Sequence, residues 1–397
     1  MLYPPLFHLS ALPFFFFFGS SFETTLLVNM VYFAILLFSC YFIARNFFGL
    51  TAGLASAMII SFFPGVFVLS RYFLLDFPLI SMTALAFLSL IKTDSFSSRK
   101  NSIISGLIVG AGILVKLPLV IFIIGPFLVL ALEGLKKHEN RKNIFIFVLI
   151  AGGITGAWVL TAWPNLLADF FGIINFQSNV GIAETDPGIN SVEAWLYYPL
   201  WIMAETGLIL LIPSIYSLKK FFGKYRREAI LLASGILIPL LLLTVFPNKD
   251  PRYIAPVLPL LAVFASCFFG IIEKKPIRNL AFVLLFFVGM SQFLVVSYAP
   301  FSKYSPFEGY CNAENIVDSA GMSAPITVKI FPESYYLNYA TLLNIAYQKN
   351  SEVYFSTSDG YLLLTTASPE GYTEIDSCLV PRNMNYKLLK PNPGTSH

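Results

Sequence analysis

Thr25–Ala44 reads TLLVNMVYFAILLFSCYFIA, twenty residues without a single Asp, Glu, Lys or Arg, and Arg45 follows at once. A helix of that length rises about 30 Å, which matches the roughly 30 Å hydrocarbon thickness of a bilayer. Positive residues close to the end of a span are retained on the cytoplasmic side. The stretch therefore reads as a membrane span entering from outside and ending inside.

Working outward, comparable runs recur to Tyr298. They are Thr51–Leu69, Phe77–Ile91, Ser102–Val115, Pro118–Leu132, Asn143–Trp163, Trp195–Leu218, Ala229–Phe246, Tyr253–Ile272 and Ile277–Tyr298, making ten with the first. Ser102–Val115 and Pro118–Leu132 are short and flank Lys116, so one bent or re-entrant pair is the alternative there. Composition agrees with a membrane protein: of 397 residues 56% are hydrophobic and 12% charged, with a mean hydropathy of +0.72. A soluble core has no use for that much apolar surface.

The loops alternate in charge. Arg45, then Lys92, Arg99 and Lys100, then Lys136, Lys137, Arg141 and Lys142, then Lys219, Lys220, Lys224, Arg226 and Arg227, and finally Lys274, Lys275 and Arg278 fill every second loop, 16 positive residues in all. The other loops hold only Arg71, Lys116, Lys249 and Arg252. Those loops, the segment before Thr25 and the tail after Tyr298 are thus expected outside. The net charge of +4 is a topology signal. The basic residues form short flanks without base-stacking aromatics, so no nucleic-acid partner is indicated.

Two domains are expected, a membrane bundle over residues 1–298 and a small extracytoplasmic α/β domain over residues 299–397. The tail alternates strand-like Ala324–Phe331 and Glu352–Phe355 with a helical stretch near Tyr335–Tyr347. Cys311 and Cys378 lie in this tail, where an oxidising exterior permits a disulfide, whereas Cys40 and Cys267 lie in spans. At the other end, Met1–Pro5 lacks the charged region of a signal peptide, and Pro4–Phe18 reads as a short aromatic helix at the outer interface. The outward loop Pro164–Ala194 carries Asp169, Glu184, Asp186 and Glu193 with no Lys or Arg. Glu205, nominally within a span, is read as marking a later start of that span in preference to a bundle-facing contact.

Ionisable groups at membrane depth are costly and tend to be functional. Arg71 and Asp76, Lys116, and Lys249-Asp250-Pro251-Arg252-Tyr253 all map to the outer face under this topology. Three or four cations around one carboxylate suit an anionic phosphate held by Lys and Arg, with the carboxylate acting on a hydroxyl. The bland readings are an Asp76–Arg71 ion pair, a snorkelling Lys116, and Lys249 and Arg252 as headgroup anchors. No metal-ligand set assembles around His8, the only outward histidine before the tail.

At these residues the chain resembles a family. Tyr3-Pro4-Pro5-Leu6-Phe7-His8, Phe18-Gly19, Arg45-Asn-Phe-Phe-Gly49, Ser70-Arg71 followed by Asp76-Phe-Pro-Leu79, Gly106-Leu-Ile-Val-Gly-Ala-Gly-Ile-Leu-Val-Lys116, and Lys249-Asp-Pro-Arg-Tyr253 with Pro256 and Pro259 follow the order seen in the GT-C glycosyltransferases. Protein O-mannosyltransferases and aminoarabinose lipid A transferases are the types most similar, over roughly Tyr3–Ser266. The resemblance implies an all-α polytopic bundle that moves a sugar from a polyprenyl-phosphate carrier to a protein, glycan or lipid acceptor on the outer face. It implies that Asp76 is the second acidic position of the active site and Lys116 the lysine at its outer rim. Arg252 and Tyr253 would belong to the region contacting the lipid phosphate, and Pro4 and Pro5 to the turn after the catalytic loop. A divalent metal is an open expectation, and the lipid-linked sugar is the donor substrate.

The family's first acid lies before the Pro-Pro-Leu turn, after an initial span, whereas this sequence opens at the turn. The expectations are a truncated copy, an inactive one, or an Asp76 with a larger share of the proton transfer. Two rivals of other classes are a lipid-linked substrate transporter, which wants polar or broken helices near the midplane, and a membrane scaffold holding the tail.

Overall fold

The computed structural model describes residues 4–19, 22–162, 172, 178, 186–207, 213–214, 221, 223–298, 320 and the five strands given below. Helix α1 is Leu6–Phe18, α2 Phe22–Phe48, α3 Leu50–Ser61, α4 Pro64–Leu69, α5 Asp76–Lys92, α6 Arg99–Val115, α7 Leu119–Leu135 and α8 His138–Ala162. Then come α9 Val192–Thr206, α10 Arg226–Val245, α11 Pro251–Ile254, a 3-10 turn Ala255–Val257, α12 Leu258–Ile271 and α13 Lys275–Tyr298. The chain forms two compact units, Met1–Phe293 and Leu294–His397.

Among the described residues five helical stretches are long and apolar enough to cross a membrane by themselves: Glu23–Phe48, His138–Ala162, Arg226–Val245, Pro251–Ile271 and Lys275–Tyr298. The other crossings expected from the sequence are shorter or broken. Helices α5, α6 and α7 have 17 residues each, about 26 Å of rise, at the low end of what spans a bilayer. The span expected over Thr51–Leu69 is α3 plus α4, interrupted at Phe62–Phe63 because Pro64, at the first position of α4, has no N–H to continue the ladder of α3. The span expected from Trp195 breaks at Gly207, whose φ of +63 closes α9. Glu205 lies inside α9, two residues before that break, and is buried as a bundle-facing group.

The short helices are the interior ones. Fourteen of the 17 residues of α5 are buried, since α5 is flanked by α2, α6, α7 and the 3-10 turn. The peripheral α8 and α13 leave most of their apolar surface outward, as lipid-facing helices do. Helix α6 packs along α8 and α7 along α10, so these are two separate helices with different principal neighbours. Gly106 and Gly110, spaced as in small-xxx-small motifs, form the α6 face against α8: a Cβ on either would lie 3.0 Å from Ile150 or Ile154. The α7–α10 contact is closer still. A Cβ at Gly125 would lie 2.8 Å from the carbonyl carbon of Ser234 and nearer yet to its oxygen. Gly125→Ala is therefore expected to destabilise the bundle by about 1–3 kcal/mol through overpacking of backbone on backbone, read as a lower thermal midpoint of the detergent-purified protein.

The connection between α5 and α6 is clamped. Asp94, Ser95 and Phe96 have φ of 49, 52 and 63, a region costly for side-chain-bearing residues. Asn140 and Asn143 of α8 donate to the carbonyls of Ser95 and Phe96 at 2.9 and 2.8 Å. Arg227 of α10 reaches Glu133 of α7 at 2.9 Å and the Ser95 hydroxyl at 3.0 Å. These bonds draw the arginine- and lysine-rich ends of five helices together.

The second unit holds one sheet of β1 Ile326–Phe331, β2 Val353–Ser356, β3 Leu362–Thr365, β4 Tyr372–Val380 and β5 Met384–Pro391, in the order β2-β1-β3-β5-β4. β1 runs parallel to β2 and β3, while β5 is antiparallel to β3 and β4, with a bulge between Glu374 and Asp376. The strands expected at Ala324–Phe331 and Glu352–Phe355 are β1 and β2. The expected helix near Tyr335–Tyr347 and Cys311 of the expected disulfide lie outside the described residues, as do Tyr3, Asp169 and Glu184.

Candidate functional site

The link from α4 to α5 is set by a residue within the first span. Asn29 of α2 is buried, and its amide donates to the carbonyls of Ser70 and Tyr72 at 2.9 and 2.8 Å. Helix α1 covers the same link: Phe7 is buried with its ring 4.7 Å from that of Phe73, and Ser10 meets the Tyr32 hydroxyl at 2.9 Å. Pro4 is buried and Pro5 caps the start of α1, so both serve here to set that helix.

Asp76 is the first residue of α5, where the free N–H groups and the helix dipole favour a carboxylate. Lys116 ends α6 in extended conformation, its N–H still bonded to the Gly112 carbonyl. The two side chains, 40 residues apart in sequence, meet with Nζ 2.7 Å from Oδ1 at exposures of 18% for Lys116 and 8% for Asp76. That is nearly a buried ion pair, in which each charge depends on the other. Arg71 is held differently, its guanidinium 5.6 and 5.5 Å from the ring centres of Phe67 and Phe293.

The Lys249–Tyr253 stretch folds on itself. Asp250 caps α11 by accepting from the Arg252 N–H at 2.9 Å, and both its oxygens accept from Arg252 Nε at 3.0 Å, with a further close contact to the guanidinium. Lys249 is buried, and its ammonium donates to the carbonyls of Thr244 at 2.8 Å, Leu243 at 3.4 Å and Phe246. It closes the C-terminus of α10, as a cation at the negative end of a helix dipole does. Burial pulls the ammonium below the ordinary lysine value, and the Asp186 carboxylate opposes that shift. Asp186 also accepts from the Lys249 N–H at 2.6 Å, and the Tyr197 hydroxyl of α9 donates to the Lys249 carbonyl at 3.1 Å. One acidic residue of the loop before α9 thus fastens the loop before α11.

These segments meet at one end of the first unit. The 3-10 turn after Tyr253 packs against α5, and α9 packs against α4 and α11. Of the eight residues expected from sequence, Asp76 and Lys116 form one pair, and Arg252 is tied to Asp250. Lys249 is committed to carbonyls, Arg71 is clamped between rings, Tyr253 is half-buried beside the core, and Pro4 and Pro5 start α1. Asn29, which the sequence reading did not name, and Asp186 and Asp250, which it named without a role, hold the loops that carry them. Among the described residues no three His, Cys, Asp or Glu side chains gather as metal ligands.

Residues 3–163 match the sequence model of a family described as dolichyl-phosphate-mannose-protein mannosyltransferase. No curated protein matches the chain in sequence. ArnT from Cupriavidus metallidurans bound to undecaprenyl phosphate is similar over 97% of this chain and 87% of its own, with a TM-score of 0.63 and 14% identity. Its apo state matches over the same shares with a TM-score of 0.65 and 12% identity. The archaeal oligosaccharyltransferase AglB from Archaeoglobus fulgidus, in complex with an inhibitory peptide and a dolichol-phosphate, is similar over 81% of this chain and 50% of its own, with a TM-score of 0.52 and 11% identity. The chain is a membrane protein with the GT-C fold of these proteins, and its resemblance to the GT-C transferases holds at the level of the fold.

Proposed function

We propose that this protein transfers a sugar from a polyprenyl-phosphate carrier to an acceptor at the face of the membrane where Asp76 lies. The charge alternation makes that face extracytoplasmic and puts the C-terminal sheet on the same side. The observation that carries the reading is the Asp76–Lys116 pair at 2.7 Å, at one end of a GT-C bundle and inside the segment that matches the family.

The chemistry follows from what each group can donate or accept. An ammonium has three N–H donors, and one is used on Asp76; the other two are available to phosphate oxygens. Lys116 then sits between the carboxylate and the donor phosphate. An acceptor hydroxyl beside Asp76 gives it a proton as its oxygen bonds to the sugar carbon. The bond from that carbon to the phosphate oxygen breaks, and the polyprenyl phosphate leaves with the electron pair, its charge stabilised by Lys116 and by Arg252 on its Asp250 mount. Attack opposite the leaving group inverts the sugar carbon.

A transporter of the same lipid-linked sugar is the second reading. The α3–α4 break and the end of α9 are bridged by Gln292 of α13, which donates to the carbonyls of Phe62 at 3.0 Å and Thr206 at 3.2 Å, beside the buried Glu205. Broken helices with buried polar groups are what a transport pathway uses. Proteoliposomes given a radiolabelled polyprenyl-phosphate mannose separate the two readings. Transferase activity is expected to release free polyprenyl phosphate with label on a non-lipid or second lipid product. Label that changes leaflet while staying on its carrier would favour transport and sink the transferase reading.

A further inference from the structure

At the end of the first unit opposite Asp76 there is a cavity of about 320 Å³ bounded by α2, α5 and α6, within the size range of small-ligand sites. Its walls are apolar: Phe38 and Phe42 from α2, Leu85 and Leu88 from α5, Ile104 and Ile108 from α6. Its polar lining is Ser89, Asn101 and Lys92. The two kinds are segregated along the axis. Along the helices Leu85 and Ile108 lie about two turns inside the ends that carry Lys92 and Asn101, with Ser89 one turn before the end of α5, and at the mouth the Asn101 amide donates to the Lys92 carbonyl at 2.7 Å.

The mouth is cationic. Lys92 is exposed, and its ammonium meets no carboxylate among the described residues. Arg45 at the same end of α2 is also exposed, its guanidinium 5.9 Å from the ring centre of Phe42, a wall residue. The groove is therefore apolar along its length and positive at the level where a span ends. That is the polarity of an acyl chain beneath a phosphate headgroup, and juxtamembrane Lys and Arg attract anionic lipid.

We infer that this groove binds one anionic phospholipid of the adjacent leaflet, an acyl chain between α2 and α6 and the phosphate on Lys92. The site is separate from the Asp76 end and takes no part in turnover, so it is tested by binding alone. The detergent-solubilised full chain is exposed to phosphatidylglycerol, phosphatidylcholine or inorganic phosphate, and retained ligand is read by native mass spectrometry. Phosphatidylglycerol is expected to be retained in preference to phosphatidylcholine, with inorganic phosphate not retained. Lys92→Gln is expected to lower phosphatidylglycerol occupancy about 5-fold. Ile104→Trp, which fills the groove at a lipid-facing position without altering charge, is expected to lower it comparably, with the thermal midpoint unchanged in both variants. Equal retention of the two lipids, retention of phosphate alone, or occupancy unaffected by both substitutions would overturn the assignment.

Discussion

Asp76→Asn is expected to lower sugar transfer by about 10²- to 10⁴-fold while leaving the protein folded, the range general-base removal produces. Asparagine has nearly the volume of aspartate, keeps an oxygen that can accept from Lys116, and retains a place at the start of α5. It has no basicity, so the acceptor hydroxyl must lose its proton to water. The effect should fall on turnover, because the ammonium that meets the donor phosphate is untouched. The check is steady-state transfer from a polyprenyl-phosphate sugar, with the thermal midpoint measured alongside. A variant that folds and transfers at the wild-type rate would remove Asp76 from the mechanism.

The bundle was legible where lipid imposes a simple rule. Helices α2, α8, α10 and α13 face hydrocarbon along much of their length, and nothing but an unbroken apolar run satisfies the backbone there. Where protein surrounds a helix the rule loosens: α5 needs only 17 residues, and the α3–α4 interruption is tolerated because Gln292 takes up the Phe62 carbonyl. Pro64 carried the local signal for that break, yet hydropathy runs across it. Charge alternation brought Asp76 and Lys116 to one face but not to each other, since their pairing depends on how α5 and α6 pack. Lys249 shows the limit most directly. A lysine after a span reads equally well as an anchor, a phosphate ligand or a helix cap. What decides here is that its own chain offers three carbonyls, three to six residues earlier, within reach of a four-carbon stem. Asn29 was hidden in the open: a polar residue in a span without a single charge, whose partners are two carbonyls more than 40 residues away.

Lys116 carries the second large effect, and its consequences divide in a way that separates structure from catalysis. Lys116→Gln leaves the Asp76 carboxylate, 8% exposed, without its counter-charge. Removing one partner of such a pair costs more than the pair itself contributes, about 3–5 kcal/mol when burial is complete and less at the 18% exposure of Lys116. A lower thermal midpoint is therefore expected. Loss of a charge-assisted hydrogen bond to the donor phosphate, about 1.5–3 kcal/mol, should raise the KM for donor by roughly 10- to 100-fold. Addition of Asp76→Asn to this variant removes the stranded charge and leaves two amides that can bond to each other. Stability should return toward wild type. If the pair were only a structural tie between α5 and α6, activity would return with it; if the two groups act on substrate, the double variant is stable and at least as inactive as Asp76→Asn. The four proteins of this cycle, each measured for thermal midpoint and for transfer, distinguish the two cases by whether the recoveries travel together.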